Sequence, residues 1–192
     1  MFFIETERLN LTPFRREDSK DYFEIIRDEA IKKYVPYASA YTIESTESHI
    51  ALYEKGDFIN DFYIAIRLKK SKKIIGAIIA VRMSHCNLDI SYLVHKDYRN
   101  QGYMTEAMKA FIQYLKFSDI SGNMIFTIED GNSISRSVAI SCGAKFTELL
   151  YKSHVYLLKF WYSPPFQEKC GFLCHTSFFV TFFKHISYYI LV

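Results

Sequence analysis

The sequence predicts an α+β domain with a mixed sheet, on three observations. Short runs in which apolar and polar residues alternate fill much of the N-terminal half, as half-buried strands require. After Gly102 the period lengthens to that of a helix, with Met104, Met108, Phe111, Ile112 and Leu115 on one face through Phe117. A strand, a short helix and two further strands then follow. Hairpins combined with one strand–helix–strand unit give a mostly antiparallel sheet flanked by helices.

The first strand is expected over residues 8–14, where Leu9 and Leu11 alternate with polar neighbours. Glu17, Asp18 and Ser19 offer a cap and an acidic first turn for a helix carrying Tyr22, Phe23, Ile25 and Ile26. Pro36 keeps residues 32–37 out of a continuous helix, and a second helix is expected around 45–55. Strands follow at 62–68, 73–82 and 88–94, the first two joined by Lys69-Lys70-Ser71-Lys72, a solvated hairpin turn. Residues 124–128 read as a buried strand, 133–141 as a short helix, and 145–151 and 154–160 as the last two strands. In such a sheet the binding site lies beside the strand that leads into the central helix.

A chain of 192 residues supports one domain with a sizeable core. Its 24 basic and 21 acidic residues leave a charge of +3, too near neutral for a nucleic-acid partner to be expected. A small or peptide-like partner fits better. Cys86 and Cys142 sit alone in segments that read as core, which favours a reducing, cytoplasmic compartment. Cys170, Cys174 and His175 have no second paired set, so no metal is expected. The N-terminus has no basic segment followed by an apolar stretch, so no secretory signal is expected.

Chemistry concentrates in the segment from Leu93 to Ala107. A strand ends, a polar loop with Arg99, Asn100, Gln101 and Gly102 turns, and the amphipathic helix begins. Free backbone N–H groups and the positive dipole end make such a helix start an anion site. Gly102 permits close approach of a phosphate, and Arg99 offers a charge-assisted donor. The segment lacks the Gly-Lys-Ser/Thr of a Walker A loop and the glycines of a dinucleotide-binding fingerprint. Taken alone, it is better read as an ordinary strand-to-helix turn with one tolerated glycine.

Arg99-x-x-Gly102-x-Met104 resembles the Arg/Gln-x-x-Gly-x-Gly/Ala pyrophosphate loop of the GNAT acetyltransferases, with Met104 in place of the final small residue. Asn132-x-x-Ser135, followed by Gly143, is similar to the Asn-x-x-Ser…Gly-Phe segment of the ribosomal-protein N-acetyltransferase (RimJ/RimL-like) branch. Ala144 stands where Phe is usual, with Phe146 two residues later. The opening Thr6-Glu7-Arg8-Leu9-x-Leu11, with Asp18 following, also looks like that branch. Together these motifs cover about residues 4–158.

The resemblance implies the GNAT fold and direct acetyl transfer from acetyl-CoA to an amine, with no metal and no covalent enzyme intermediate. The pantetheine arm would pair with the strand edge at Leu93 and Val94, where the Val94 N–H would polarise the thioester carbonyl. The pyrophosphate would rest on the N–H groups of Gln101, Gly102, Tyr103, Met104 and Thr105, helped by Arg99 and Asn100. Ser135 is the candidate proton donor to the leaving thiolate, against a plain role at the helix start. Asn132 would cap the same helix and touch the arm. Asp89 is the candidate base, with Glu129 second, although an exposed strand carboxylate reads the same way. His95 fits a structural turn. Tyr34, Tyr37 and Tyr41 are candidates for the acceptor pocket, or else packing.

The catalytic domain is therefore expected over residues 1–160, as a monomer or homodimer acting on a small-molecule amine or a peptide N-terminus. A catalytically idle acetyl-CoA-binding regulatory module needs the same loop and remains the alternative. From residue 161 the composition changes to an atypical tail. Residues 160–192 hold eleven aromatics and one acid, Glu168. A divergent packed tail, a reading-frame artefact and a peripheral membrane anchor compete for it. The second is favoured, and no membrane partner is expected because Lys184 and His185 interrupt the apolar run.

Overall fold

The computed structural model of the chain describes residues 2–84, 87–118, 120, 122–150 and 153–159. Leu9 and Leu11 are fully buried on β2 (Leu9–Pro13), as their alternation requires. Beside it pairs β1 (Ile4–Glu5), a strand too short to leave a periodic signal. The remaining strands are β3 (Asp61–Leu68), β4 (Ile74–Ser84), β5 (Asn87–Val94), β6 (Asn123–Glu129), β7 (Lys145–Leu150) and β8 (Ser153–Lys159). They form one sheet in the order β1-β2-β3-β4-β5-β6-β8-β7. The expected hairpin joins β3 to β4, where Leu68 N–H donates to Lys73 O at 3.0 Å.

Helices α1 (Ser19–Ile26), α2 (Glu29–Lys32) and α3 (Ile43–Tyr53) precede β3, while α4 (Tyr103–Phe117) and α5 (Ser133–Ser141) flank β6 in sequence. One buried cluster joins the apolar stripe of α4 to Phe62, Ile64, Ile78, Leu88, Ile90 and Phe126. The second joins α1 and α3 to Phe14, Ala65 and Ala77 on the other side of the sheet. Alternate strand residues thus feed opposite cores. Helix α3 starts two residues before the expected point, because Thr42 and Ser45 cap each other reciprocally at 2.9 and 3.2 Å. Helix α2, like β1, is an element that the sequence reading lacks. Asp28 caps it, accepting from Ala30 N–H at 2.7 Å. Pro36 opens a separate 3-10 turn (Pro36–Ala40), so it does interrupt the helix as expected.

Asp18 corrects its assignment as a cap of α1, since its side chain makes no cap bond there. It is buried instead, and Arg67 on β3 claims it: Nη1 donates to Oδ1 at 2.7 Å and Nη2 to Oδ2 at 2.6 Å. Arg67 Nε donates to Thr12 Oγ1 at 2.8 Å, so the fork is satisfied between β2 and α1.

The feature that positions the site is the one parallel contact in the sheet. Strands β5 and β6 pair only through Asn87↔Asn123, Leu88↔Met124 and Asp89↔Ile125. Residues 90–94 of β5 continue along β4 without a β6 partner, while β6 continues along β8. The sheet opens there. Expectations for residues 161–192, for Phe160 and Tyr151, and for Cys86 lie outside the described residues.

Asp18→Ala should cost about 3–5 kcal/mol in urea unfolding, because it strands the buried Arg67 guanidinium. Asp18→Ala combined with Arg67→Met should cost less than Asp18→Ala alone. An Asp18→Ala loss below about 1 kcal/mol would show that the pair is effectively solvated.

Candidate functional site

Strand β5 ends at Val94, and the chain then turns sharply into α4. His95 organises the turn: it is buried, its Nδ1 accepts from Asp97 N–H at 3.3 Å, and its Nε2 lies 3.4 Å from Glu24 Oε1. Asn100 and Gly102 both take left-handed backbone, at φ 59° and 78°. Asn tolerates that region and Gly enters it freely, which is why these two residue types flank Gln101. The first helical bond runs from Glu106 N–H to Gly102 O at 2.9 Å. The N–H groups of Gly102, Tyr103, Met104 and Thr105 therefore have no intrahelical acceptor, and no side chain caps the helix.

This uncapped start opens onto a cavity of about 450 Å³ that runs along the free edge of β5. Tyr92, Leu93 and Val94 border one side, and Asn132, Ser133 and Ser135 at the start of α5 border the other. His95 N–H donates to Ile75 O at 2.8 Å, towards β4. Strand alternation then turns the backbone groups of Tyr92 and Val94 the opposite way, into the opening. Tyr92 spans the gap at its side-chain level, its hydroxyl donating to Ser135 O at 2.6 Å; burial raises its pKa. At the far end Ala30, Ile31 and Val35 form an apolar wall, and the Tyr34 hydroxyl donates to Gly131 O at 3.4 Å.

Of the residues expected at the cofactor, Leu93, Val94, Arg99, Asn100, Gly102, Tyr103, Met104, Thr105 and Asn132 all border this one cavity. Gln101 does not; its Nε2 donates to Asp97 O at 2.8 Å. Arg99 is turned back, with Nε donating to Val94 O at 3.0 Å and Nη2 3.3 Å from Asp28 Oδ2. The loop cation is thus already paired. Asn132 accepts from Ser135 N–H at 3.2 Å and so caps α5. Ser135 borders the cavity, with its side chain beside the Tyr92 hydroxyl.

The structure does not bring the two candidate bases to the cavity. Asp89 stands at the last parallel pair, on the sheet side opposite Leu88 and Ile90. Glu129 is exposed at the far end of β6. No carboxylate or histidine borders the cavity among the described residues. Loss of water pushes the Asp89 carboxyl up to about 6, against a hydrogen bond from Ile90 N–H. Tyr41 packs on His49 at 4.7 Å between ring centroids and does not border the cavity. Among the described residues no group of three or more His, Cys, Asp or Glu side chains is placed to hold a metal ion. No helix among them is long and apolar enough to cross a membrane.

Two departures from the expected motifs have local explanations. Met104, in place of a small residue, is buried in the α4 core, so its bulk stays out of the loop. Gly143 ends α5 at φ 92°, where only glycine is unstrained, but Phe146 is exposed and does not replace the apolar side chain missing at Ala144. Sequence reasoning missed Arg8, Asp28 and Tyr92. They reach the site from 43 to 93 residues away from their partners, and no local pattern announces such contacts.

The sequence pattern of the acetyltransferase (GNAT) domain matches residues 8–145. An uncharacterized N-acetyltransferase, YnaD, of Bacillus subtilis (strain 168) is 27% identical over 112 residues, 58% of this chain and 64% of its own length. The chain thus spans just under two thirds of that relative. A GNAT-family acetyltransferase of Bacillus anthracis superposes with a TM-score of 0.73 at 20% identity, over 82% of this chain and 98% of that one. A RimL ribosomal L7/L12 alpha-N-protein acetyltransferase in complex with coenzyme A gives 0.69 at 14% identity, over 82% and 98%. The fold is the one these structures share.

Folding raises the Asp89 pKa from 3.8 to about 6, so the native state binds the proton more tightly than the unfolded chain. The resulting stability is complete below the unfolded value and is lost as pH rises through about 6. Asp89→Asn should therefore exceed the native chain in stability near pH 8 by on the order of 2 kcal/mol, with the gap closing near pH 4. Urea titrations at both pH values check it. Equal gaps at the two would show that the carboxylate keeps its water.

Proposed function

The chain belongs to the GNAT acetyltransferase family, and we propose that it moves the acetyl group of acetyl-CoA directly to a primary amine. The observation that carries this reading is the uncapped N-terminus of α4, which opens onto the same cavity as the free edge of β5. A diphosphate fits the N–H groups of Gly102, Tyr103, Met104 and Thr105. A pantetheine arm is an extended chain with amide groups, which suits the Val94 N–H and the backbone of Tyr92 as an added strand does.

In that pose the Val94 N–H meets the thioester carbonyl and stabilises the charge that develops on its oxygen. The amine enters from the Tyr34 side. Its nitrogen forms a bond to the carbonyl carbon as the carbon–sulfur bond breaks. One proton leaves the amine and one reaches the thiolate. Ser135, at the cavity edge with its backbone fixed by Asn132, is the proposed donor to sulfur. The amine's proton passes to water. No residue here calls for a metal in this chemistry.

The acceptor end favours a peptide N-terminus or other singly charged amine over a polyamine. Its wall is apolar apart from hydroxyl and backbone groups, and a polycation finds no carboxylate bordering it among the described residues. The RimL structure in the same fold is of an enzyme acting on a protein α-amine, which supports the same choice. The proposed setting is the cytoplasm, where acetyl-CoA and new protein N-termini meet, with the chain as monomer or homodimer and no nucleic-acid partner. The lack of a bordering base equally favours the catalytically idle acetyl-CoA-binding module.

Release of CoA thiol from acetyl-CoA, with peptides beginning Ala or Ser and with spermidine, decides between the two. Turnover above the hydrolytic background with the peptides is expected; none with any amine would leave the idle module. Ser135→Ala should lower kcat by about 100-fold while acetyl-CoA affinity stays within a few-fold. An unchanged kcat would confine Ser135 to the helix start.

A further inference from the structure

We propose that Arg8, on the segment between β1 and β2, is a positioning residue for the diphosphate loop. The inference rests on the reading of the α4 start as the diphosphate site. Arg8 reaches that start from behind. Its Nε donates to Glu106 Oε2 at 2.6 Å, its Nη1 donates to Gln101 O at 3.0 Å, and its guanidinium lies 4.2 Å from the centre of the Tyr103 ring. Glu106 in turn accepts from Arg8 N–H at 2.9 Å and from the Thr6 hydroxyl. Burial would raise the Glu106 pKa, yet these hydrogen bonds hold it below the usual carboxylate range, while the bond to Glu106 raises that of Arg8. The fork is held at both ends and on one face.

The consequence follows from peptide geometry. In a trans peptide the C=O and N–H point in opposite directions. Holding the Gln101 carbonyl on the Arg8 side therefore aims the Gly102 N–H at the other side, where Gly102 borders the cavity. Glycine accepts either sign of φ, so Gly102 cannot fix this peptide by itself. A Cβ built at Gly102 would meet only Arg8 Nη2, at 3.5 Å, so the backbone is not wedged by packing either. Arg8 removes the freedom that Gly102 introduces. It also neutralises Glu106, whose charge in the first turn of α4 would otherwise oppose an anion.

The test compares three donors on the native chain, Arg8→Ala and Arg8→Lys: acetyl-CoA, 3′-dephospho-acetyl-CoA and S-acetylpantetheine. We expect Arg8→Ala to raise KM for both diphosphate-bearing donors by about tenfold, with kcat within twofold. S-acetylpantetheine, which has no diphosphate, should change by less than twofold in kcat/KM. Arg8→Lys should recover little, because a single ammonium cannot reach Gln101 O and Glu106 as a planar fork does. Loss confined to the 3′-phosphorylated donor would replace positioning by direct contact with that phosphate and overturn the proposal. Equal loss on S-acetylpantetheine, full rescue by lysine, or no loss would each overturn it too. A native chain that uses none of the three donors would instead sink the acetyltransferase reading, and this inference with it.

Discussion

Everything at the site depends on where the parallel ladder between β5 and β6 stops. Antiparallel partners hold each strand along most of its length: β4 follows β5 to Val94, and β8 follows β6 from Asn123 to Glu129. The two half-sheets meet only at a short seam. Leu88 and Met124 are buried in it, and Asn123 Nδ2 donates to Asn87 Oδ1 at 2.9 Å. Beyond Asp89 each half keeps its own twist and the strands part. A full ladder would have consumed the backbone groups of Tyr92 and Val94. Gly76 holds the β4 side closed, since a Cβ there would stand 2.5 Å from Leu93 O. The result is a strand edge inside a sheet, open on one side and shielded by α5, where its free hydrogen-bonding groups do not invite aggregation.

Charge at the loop is arranged differently from what a cationic phosphate site suggests. Arg99 is paired with Asp28 and Val94 O, and Arg8 with Glu106 and Gln101 O. Neither arginine stands free beside the α4 start. The attraction for an anion comes from unsatisfied N–H groups and the helix dipole, whose direction is fixed by backbone. Arginine acts here by holding backbone in place. Such a site keeps its geometry before the ligand arrives, and the chain can carry it with a net charge of only +3.

Elements with a strong local period were legible: the β2 alternation, the α4 stripe, the hairpin after Leu68, and α5 to the residue. Their signal is the residue's own burial. Asp18 misled because an acid before a helix is usually a cap, and only the register of β3 brings Arg67 to it. Arg99 misled in the same way. A loop arginine reads as a free cation until the fold delivers Asp28 and the end of β5 to its guanidinium. The cavity-bordering residues of the loop were legible through a family resemblance, whereas spacing alone favoured an ordinary turn. Helix α2 was too short and too polar to register, yet it supplies both the acceptor wall and the partner of Arg99.

The unequal legibility of the two halves has a physical cause. The donor half is built from backbone: αL turns at Asn100 and Gly102, free N–H groups, and an unpaired strand edge. Backbone recognition constrains conformation, so it leaves Gly and Asn at fixed spacing and little else. Met104 can then replace a small residue without touching the loop, because its side chain belongs to the core. The acceptor half is built from side chains on α2 and the segment after it, at Ala30, Ile31, Tyr34 and Val35. There each residue type is free to follow the amine it meets, and no spacing rule survives. Two contacts join the halves across the cleft: the Tyr34 hydroxyl on Gly131 O at the turn before α5, and the pairing of Asp28 with Arg99. On the proposed reading, choice of amine is written in the least patterned stretch of the chain, beside a donor site built from backbone.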